Sequence, residues 1–326
     1  MKKLDIEKYL KLPELEFDAS FIEKYAPERF YDVPDKLEIY FAVGKPIIIG
    51  INYLYPFYDW RKFSQTKRAE IRKVSRKIFL DSGLLAIHDR DELWEYLELQ
   101  EEAVETANAD KIDRVTMFDI PIVEPLKKRL EMDAHQLFDL HLRMSEKFRD
   151  IKSEHSQKVW VIQGDRLELT LENIRAIKDW VKPKDAVALG GVARGYLPAK
   201  LSSYVWETLE AMRDAFPKNE IHLFGVFRPD IIAMAYLKGL INSCDAVSPK
   251  VWGDYYTFEF GIEGKKRGLD PFFGSKRVTL RPAHAFHSLA IGSIFLIIQR
   301  AITDLREAMQ YKLSLKEVIH DAENLY

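Results

Sequence analysis

The chain has 326 residues, a formal net charge of −2, 47% hydrophobic and 31% charged residues, and one cysteine. The length suffices for a large core, while the near-neutral balance gives no global polyanion signal, so any nucleic-acid contact must come from a local basic patch. The lone Cys244 excludes an intramolecular disulfide and a zinc site built from several thiolates, and it suits a reducing, cytoplasmic compartment.

The first residues, MKKLDIEKYLKLPELEFD, are charged throughout and hold no apolar signal region. Residues 1–44, with prolines at 13, 27 and 34, read as a capping lead-in. Residues 45–52 (KPIIIGIN) are the expected first strand, and 53–60 (YLYPFYDW) an aromatic loop. The next stretch is the most basic of the chain: Arg61, Lys62, Lys67, Arg68, Arg72, Lys73, Arg76 and Lys77 stand against Glu70 alone. On a helix these cations fall along two sides. A phosphate-binding face over Arg68, Arg72, Lys73 and Arg76 and an ordinary solvated face are equal readings.

Short apolar runs then alternate with helical patterns. Residues 77–80 (KIFL) end in Asp81-Ser82-Gly83, 115–118 (VTMF) in Asp119, and 159–162 (VWVI) in Gln163-Gly164. Residues 186–189 (AVAL) end in Gly190-Gly191, 221–224 (IHLF) in Gly225, and Ser243-Cys244 meets Asp245. Helical patterns cover 92–109, 126–147, 169–180, 199–216 and 229–240. Residues 250–275 form a glycine-bearing excursion, 276–280 (KRVTL) are the expected eighth strand, and 283–310 a long amphipathic helix followed by a short one to the C-terminus, 311–326. The longest apolar run, 289–298, is about half of what a membrane span needs, so no membrane partner is expected.

Buried parallel strands read as continuous apolar runs, and strand–helix alternation implies parallel βαβ units. The expected fold is α/β: a (β/α)8 barrel over 45–310, with the N-terminal lead-in capping it and a C-terminal helical extension. Polar residues and glycines recur at the same end of strand after strand, which is how an active site is laid out on the carboxyl face of such a barrel. Away from those ends, His222 lies inside a strand and His284 beside a proline, and both read as core or rim. Cys244 reads as a small apolar residue.

Taken in order, Asp81-Ser82-Gly83, Phe118-Asp119, Ile162-Gln163-Gly164, Leu189-Gly190-Gly191-Val192, Leu223-Phe224-Gly225-Val226 and Asp245-Ala246-Val247-Ser248-Pro249 resemble the motifs of the guanine transglycosylases. Those enzymes exchange an encoded guanine for a 7-deazaguanine, mostly on tRNA and, in a divergent deoxypurine-in-DNA branch, on DNA. The resemblance covers residues 45–306. It implies Asp245 as nucleophile and Asp81 as the group that positions the base and takes the proton of the incoming one. It implies Asp119 as partner of the guanine N1–H and 2-amino edge, Gln163 and the Gly191 N–H as holders of the 6-oxo group, Gly190 as a close approach to the ring, and Phe224 as the stacking residue. Ser82, Val192 and Gly225 complete the implied base site, Lys250 is an implied nucleic-acid contact, and no cofactor or metal is implied. Arg194 suits a phosphate, the incoming base's 7-substituent or a rim salt bridge equally.

The residue types fit that chemistry. As guanine leaves, C1′ develops oxocarbenium character, which a carboxylate beneath it stabilises and captures. A site that hydrogen-bonds the guanine edge rejects adenine because the wrong base leaves buried groups unpaired. The nucleophile must be ionised, so Asp245 is expected in a more polar setting than Asp81 or Asp119.

The chain also departs from the family. The tRNA enzymes carry a zinc site of three cysteines and a histidine; here those cysteines are absent and His287 reads as structural. Leu84-Leu85 stands for the usual glycine–phenylalanine, and Lys250-Val251 for the usual threonine–arginine. These departures tilt the expectation to exchange of a preQ0-like 7-deazaguanine into DNA. The alternatives are the same exchange on tRNA, of queuine or archaeosine type, and a non-catalytic nucleic-acid-binding relative. A metal-dependent barrel hydrolase needs histidines at the strand ends, which offer carboxylates and amides instead. DNA or tRNA and the free base are the expected partners, and a homodimer is left open.

Overall fold

The computed structural model describes residues 36–42, 49–192, 202–226, 229–246, 257–260, 265–268, 298–299, 302–303 and 305–307. Eight parallel strands close into a barrel: β1 (Glu38–Ala42), β2 (Asn52–Pro56), β3 (Lys77–Asp81), β4 (Arg114–Thr116), β5 (Gln157–Ile162), β6 (Ala186–Leu189), β7 (Glu220–Leu223) and β8 (Ser243–Ala246). They run in sequence order, and β8 returns to β1 with Asp245 opposite Tyr40. Between them come α1 (Phe57–Trp60), α2 (Gln65–Val74), α3 (Arg90–Leu97), α4 (Gln100–Ala109), α5 (Glu124–Leu130), α6 (Ala134–Asp150), α7 (Leu167–Ile177), α8 (Ser202–Ala215) and α9 (Pro229–Leu237). The fold is a (β/α)8 barrel. Its strands belong to one compact unit, residues 35–227 with 240–247. Helix α9 and an antiparallel pair, β9 (Thr257–Phe260) and β10 (Lys265–Gly268), belong to a second.

Two strands are not where the sequence suggests. The first is Glu38–Ala42, inside the stretch read as lead-in. In the expected strand at 45–52, the described residues begin with a turn: Gly50 is left-handed at φ 82° and Ile49 is 80% exposed. The aromatic run at 53–60 is not a loop; it supplies most of β2 and all of α1. With β1 counted, Ser243–Ala246 is the eighth strand and closes the barrel. The segment at 276–280 lies outside the described residues, as do 1–35, Arg194, Lys250, His284, His287 and 311–326.

Helix ends follow local chemistry. Asp133 and Gln136 form a reciprocal capping box that starts α6. Just before it, Glu131 is left-handed at φ 52°, so the single helix expected over 126–147 is two. Ser64 and Asp89 cap α2 and α3 by accepting the N–H of Lys67 and Glu92.

Side chains of period two fill the barrel. Tyr40, Phe79 and His222 meet edge to face, with His222 4.9 Å from Phe79 and 5.9 Å from Tyr40. Beneath them the first residues of β1, β3, β4 and β7 form a charged plug. Arg114 pairs with Glu220 at 2.5 Å and Glu38 at 3.3 Å, and Lys77 also pairs with Glu38. The plug occupies the amino-terminal mouth.

Candidate active site

At the opposite edge, β3 ends in Asp81. The chain must turn at once, and Gly83 does so in the left-handed region at φ 74°. A Cβ there would lie 2.8 Å from Pro56 Cβ, so no other residue fits. The Gly83 N–H donates to Asp81 Oδ2 at 3.2 Å. Ser82, buried, turns the other way and donates its hydroxyl to Asp119 Oδ1 at 2.7 Å.

Asp119 follows β4 in a loop clamped from behind. Gln100 of α4 accepts the Phe118 N–H at 2.7 Å, and His141 of α6 accepts the Ile120 N–H on Nδ1 at 3.2 Å. With Nδ1 accepting, the proton of His141 sits on Nε2, which donates to Val161 O at 3.0 Å. Burial drives the His141 pKa down to about 4, so the ring is a neutral brace. Neither Gln100 nor His141 is anticipated from the sequence. Their one signal is a polar residue on the apolar stripe of a helix: Gln100 with Ala103, Val104 and Ala107, and His141 with Leu137, Met144 and Phe148.

Gln163, at the end of β5, donates from Nε2 to Asp119 Oδ2 at 2.6 Å, and its own N–H donates to Asn173 of α7. Both oxygens of Asp119 therefore carry a side-chain donor. One Nε2 hydrogen of Gln163 is committed to Asp119, and the second remains for the 6-oxo group that the resemblance assigns to Gln163. Its Oε1 is a buried atom without a hydrogen-bond partner. The glycines after β6 pack against the same glutamine. A Cβ on Gly190 would lie 2.3 Å from Gln163 Nε2, and one on Gly191, at φ 70°, 2.7 Å from Gln163 Oε1. They give room to the glutamine amide. Val192 follows them, buried.

On the far side of the barrel Asp245 lies within β8, one residue before its end, and is 4% exposed. Its Oδ1 accepts the Gly225 N–H at 2.7 Å. Phe224, half-buried, packs its ring 5.6 Å from Phe79 and 4.5 Å from His222. Cys244 is buried and inert, since burial pushes its thiol far above the usual range.

Asp81 feels the other two carboxylates. Burial, reinforced by the charges of Asp119 and Asp245, raises Asp81 to about 8, although part of its surface reaches solvent. Burial also raises Asp119, against the hydrogen bonds from Ser82 and Gln163 that favour its ionised form. The edge thus places a proton-holding carboxyl, Asp81, near Asp245, whose Oδ1 accepts a backbone N–H. Pairs of acids held in different environments are the usual basis for acid and nucleophile roles.

The basic helix does not join this edge. Arg72 pairs with Asp113 at 3.2 Å, just before β4, and Val74 accepts the N–H of Gly50 ahead of β2, so the end of α2 lies at the amino-terminal mouth. Arg68 is engaged by Asp110 and by the carbonyls of Trp60 and Arg61. Lys73 and Arg76 are exposed, beside a half-buried Arg72. Of the residues expected to act together, the structure gathers Asp81, Ser82, Asp119, Gln163, Gly190, Gly191, Phe224, Gly225 and Asp245 at the carboxyl ends of the strands, and leaves Arg72, Lys73 and Arg76 at the other end.

Among the described residues no group of three or more His, Cys, Asp and Glu is placed to hold a metal ion, and no helix is long and apolar enough to cross a membrane. No protein-family model matches the chain, and no curated protein matches it.

Proposed function

We propose that the chain is a base-exchange transglycosylase that replaces guanine by a preQ0-like 7-deazaguanine in DNA through a glycosyl ester on Asp245. The observation that carries this reading is the joining of Asp81, Ser82, Asp119 and Gln163 into one hydrogen-bonded edge that shares its field with Asp245. The choice of DNA rests on the single cysteine, which leaves the three-thiolate zinc site of the resembling tRNA enzymes unbuilt.

In this reading Asp245 Oδ2 attacks C1′. The C1′–N9 bond breaks, its electron pair goes to the departing purine, and the Asp81 carboxyl gives that purine a proton. Asp81 is then the carboxylate that removes the N9 proton of the incoming base. N9 attacks C1′, and the ester oxygen returns to Asp245 as carboxylate. Two inversions give retention. A carboxyl raised to about 8 suits both halves, because it is protonated at neutral pH yet close enough to ionisation to shuttle.

Asp119 reads the donors of the guanine edge. Each carboxylate oxygen can accept a second hydrogen bond beyond those from Ser82 and Gln163. The unpartnered Gln163 Oε1 is a further acceptor for that edge. Adenine offers no N1–H and no 2-amino group to these acceptors and leaves them buried and unpaired.

The test offers labelled guanine and labelled 7-cyano-7-deazaguanine with duplex DNA and, separately, with tRNA. Label entering DNA with retention at C1′ is the expected result. Label entering tRNA alone moves the polymer assignment, and no transfer into either polymer removes the reading.

A further inference from the structure

Asp245 stands at the top of a buried polar column that runs down the barrel interior. His222, one strand over on β7, brings Nε2 to 3.5 Å from Asp245 Oδ1. Its Nδ1 lies 2.8 Å from Ser243 Oγ, directly across the strand pair. Arg114 donates from one terminal nitrogen to the same Ser243 Oγ at 2.9 Å, and from the other to Glu220. The column is buried: His222 is 1% exposed and Arg114 3%.

The column supplies a donor for each partner, which assigns a tautomer to His222. A guanidinium only donates, so Ser243 Oγ accepts from Arg114 and its own hydrogen is free for His222 Nδ1. With Nδ1 accepting, the imidazole proton lies on Nε2, facing Asp245 Oδ1. The 3.5 Å separation is longer than a hydrogen bond, and Nε2 is a buried nitrogen without a partner. Catalytic hydrogen bonds in ligand-free enzymes are often long and tighten when the reacting group arrives. The rings of Tyr40, Phe79 and Phe224 pack around the imidazole and hold its plane.

We propose that His222 is a positioning residue for Asp245: its Nε2–H, set by the Arg114–Ser243 relay, joins the Gly225 N–H on Oδ1 and so leaves Oδ2 as the oxygen that meets the sugar carbon. This rests on Asp245 being the nucleophile, as proposed above. The consequence is largest in the second half of the reaction. In the glycosyl ester Oδ1 is a neutral carbonyl oxygen. When the incoming base displaces the ester, charge returns to the carboxylate, and two prearranged donors stabilise that developing charge as an oxyanion hole does. The burial that keeps His222 neutral also keeps it from competing for the proton that Asp81 moves.

The test compares wild type, His222→Leu, His222→Gln and Ser243→Ala in steady-state exchange of labelled guanine, with thermal melting of each and acid-quench isolation of the ester. For His222→Leu the expected result is kcat lower by up to about 10²-fold with KM for the base unchanged, and ester accumulating because its breakdown is slowed. His222→Gln, which keeps an N–H donor, restores a large part of kcat. Ser243→Ala, which frees the tautomer, falls between. If His222→Leu melts too low to assay, the Gln and Ala variants decide. Wild-type kcat in both Ser243→Ala and whichever His222 variant folds overturns the positioning role, and so does a rise in KM with kcat intact. An inactive wild type fails the transglycosylase reading itself, and this inference goes with it.

Discussion

The two mouths of the barrel both carry charged side chains and treat them in opposite ways. At the amino-terminal mouth Glu38 and Glu220 meet Lys77 and Arg114, and Tyr40 donates its hydroxyl to Glu38, so each charge has a counter-charge. At the carboxyl edge Asp81, Asp119 and Asp245 share one field, and among the described residues no Lys or Arg pairs with any of them. Like charges left uncompensated cost folding stability. A chain that gives up stability in one place while balancing charges a strand's length away marks the edge to which the proposal assigns its chemistry.

Breaking the carboxyl edge at Asp245 has the largest expected effect. Asp245→Asn keeps the shape and the Gly225 contact but removes the oxygen proposed to attack C1′, and exchange of labelled guanine is expected to fall by roughly 10³-fold or more. Substantial residual exchange without an isolable ester would show that C1′ is attacked by something else.

Asp81→Asn sharpens the contrast, because it links activity to stability with opposite signs. The folded-state value of Asp81 is raised, so its contribution to stability is fully present below about 4, the unfolded value, and is lost as pH climbs through about 8. Replacing it with an uncharged isostere is expected to abolish exchange. It should also raise the melting temperature at pH 9 while changing little at pH 5, an effect moderated by the part of Asp81 that reaches solvent. Equal melting shifts at both pH values would mean that Asp81 is not held protonated.

The balanced mouth should respond in the reverse way. Arg114→Met leaves Glu38 and Glu220 without their buried partner and is expected to cost roughly 2–3 kcal/mol of stability, less than a fully buried pair because both glutamates are part-exposed. Urea unfolding reads this directly. A neutral or stabilising outcome would show that the plug does no more for stability than apolar packing would.

The same contrast explains what can be read from the chain without its structure. Asp81, Asp119 and Gln163 are legible because each interrupts an apolar run at a point where burial would forbid it, a purely local signal. Strand β1 is not, because it opens on Glu38, whose partners Lys77 and Arg114 lie 39 and 76 positions away. The run of isoleucines a few residues later is the stronger apolar signal and draws the expectation to itself. His222 is hidden for the same reason. Nothing beside it in sequence shows that Ser243 and Arg114, 129 residues apart, would meet at its ring. Gln100 and His141 each support Asp119 from a helix whose local pattern only says that one polar group is buried. Chemistry set at strand ends is visible in one dimension, while the positioning groups beneath it are defined by closure of the barrel.

The smallest expected effect concerns the basic helix, and it separates charge that is merely dense from charge that is placed. The run from Arg61 to Lys77 is the strongest polyanion signal in the sequence, yet Arg72 is held by Asp113 at the amino-terminal mouth and Arg68 by Asp110. A polymer whose guanine is seated against Asp81 and Asp245 would meet the opposite end of the barrel. Neutralising Arg72, Lys73 and Arg76 together is therefore expected to leave DNA affinity and the slope of log K against log salt close to wild type. Three lost phosphate contacts would instead flatten that slope by roughly 2.7. The stability cost should stay within about 1 kcal/mol, since the one ion pair removed is half-exposed. A flattened slope would show that nucleic acid wraps past the flank of the barrel to its amino-terminal mouth, and the division of labour between the two ends would have to be redrawn.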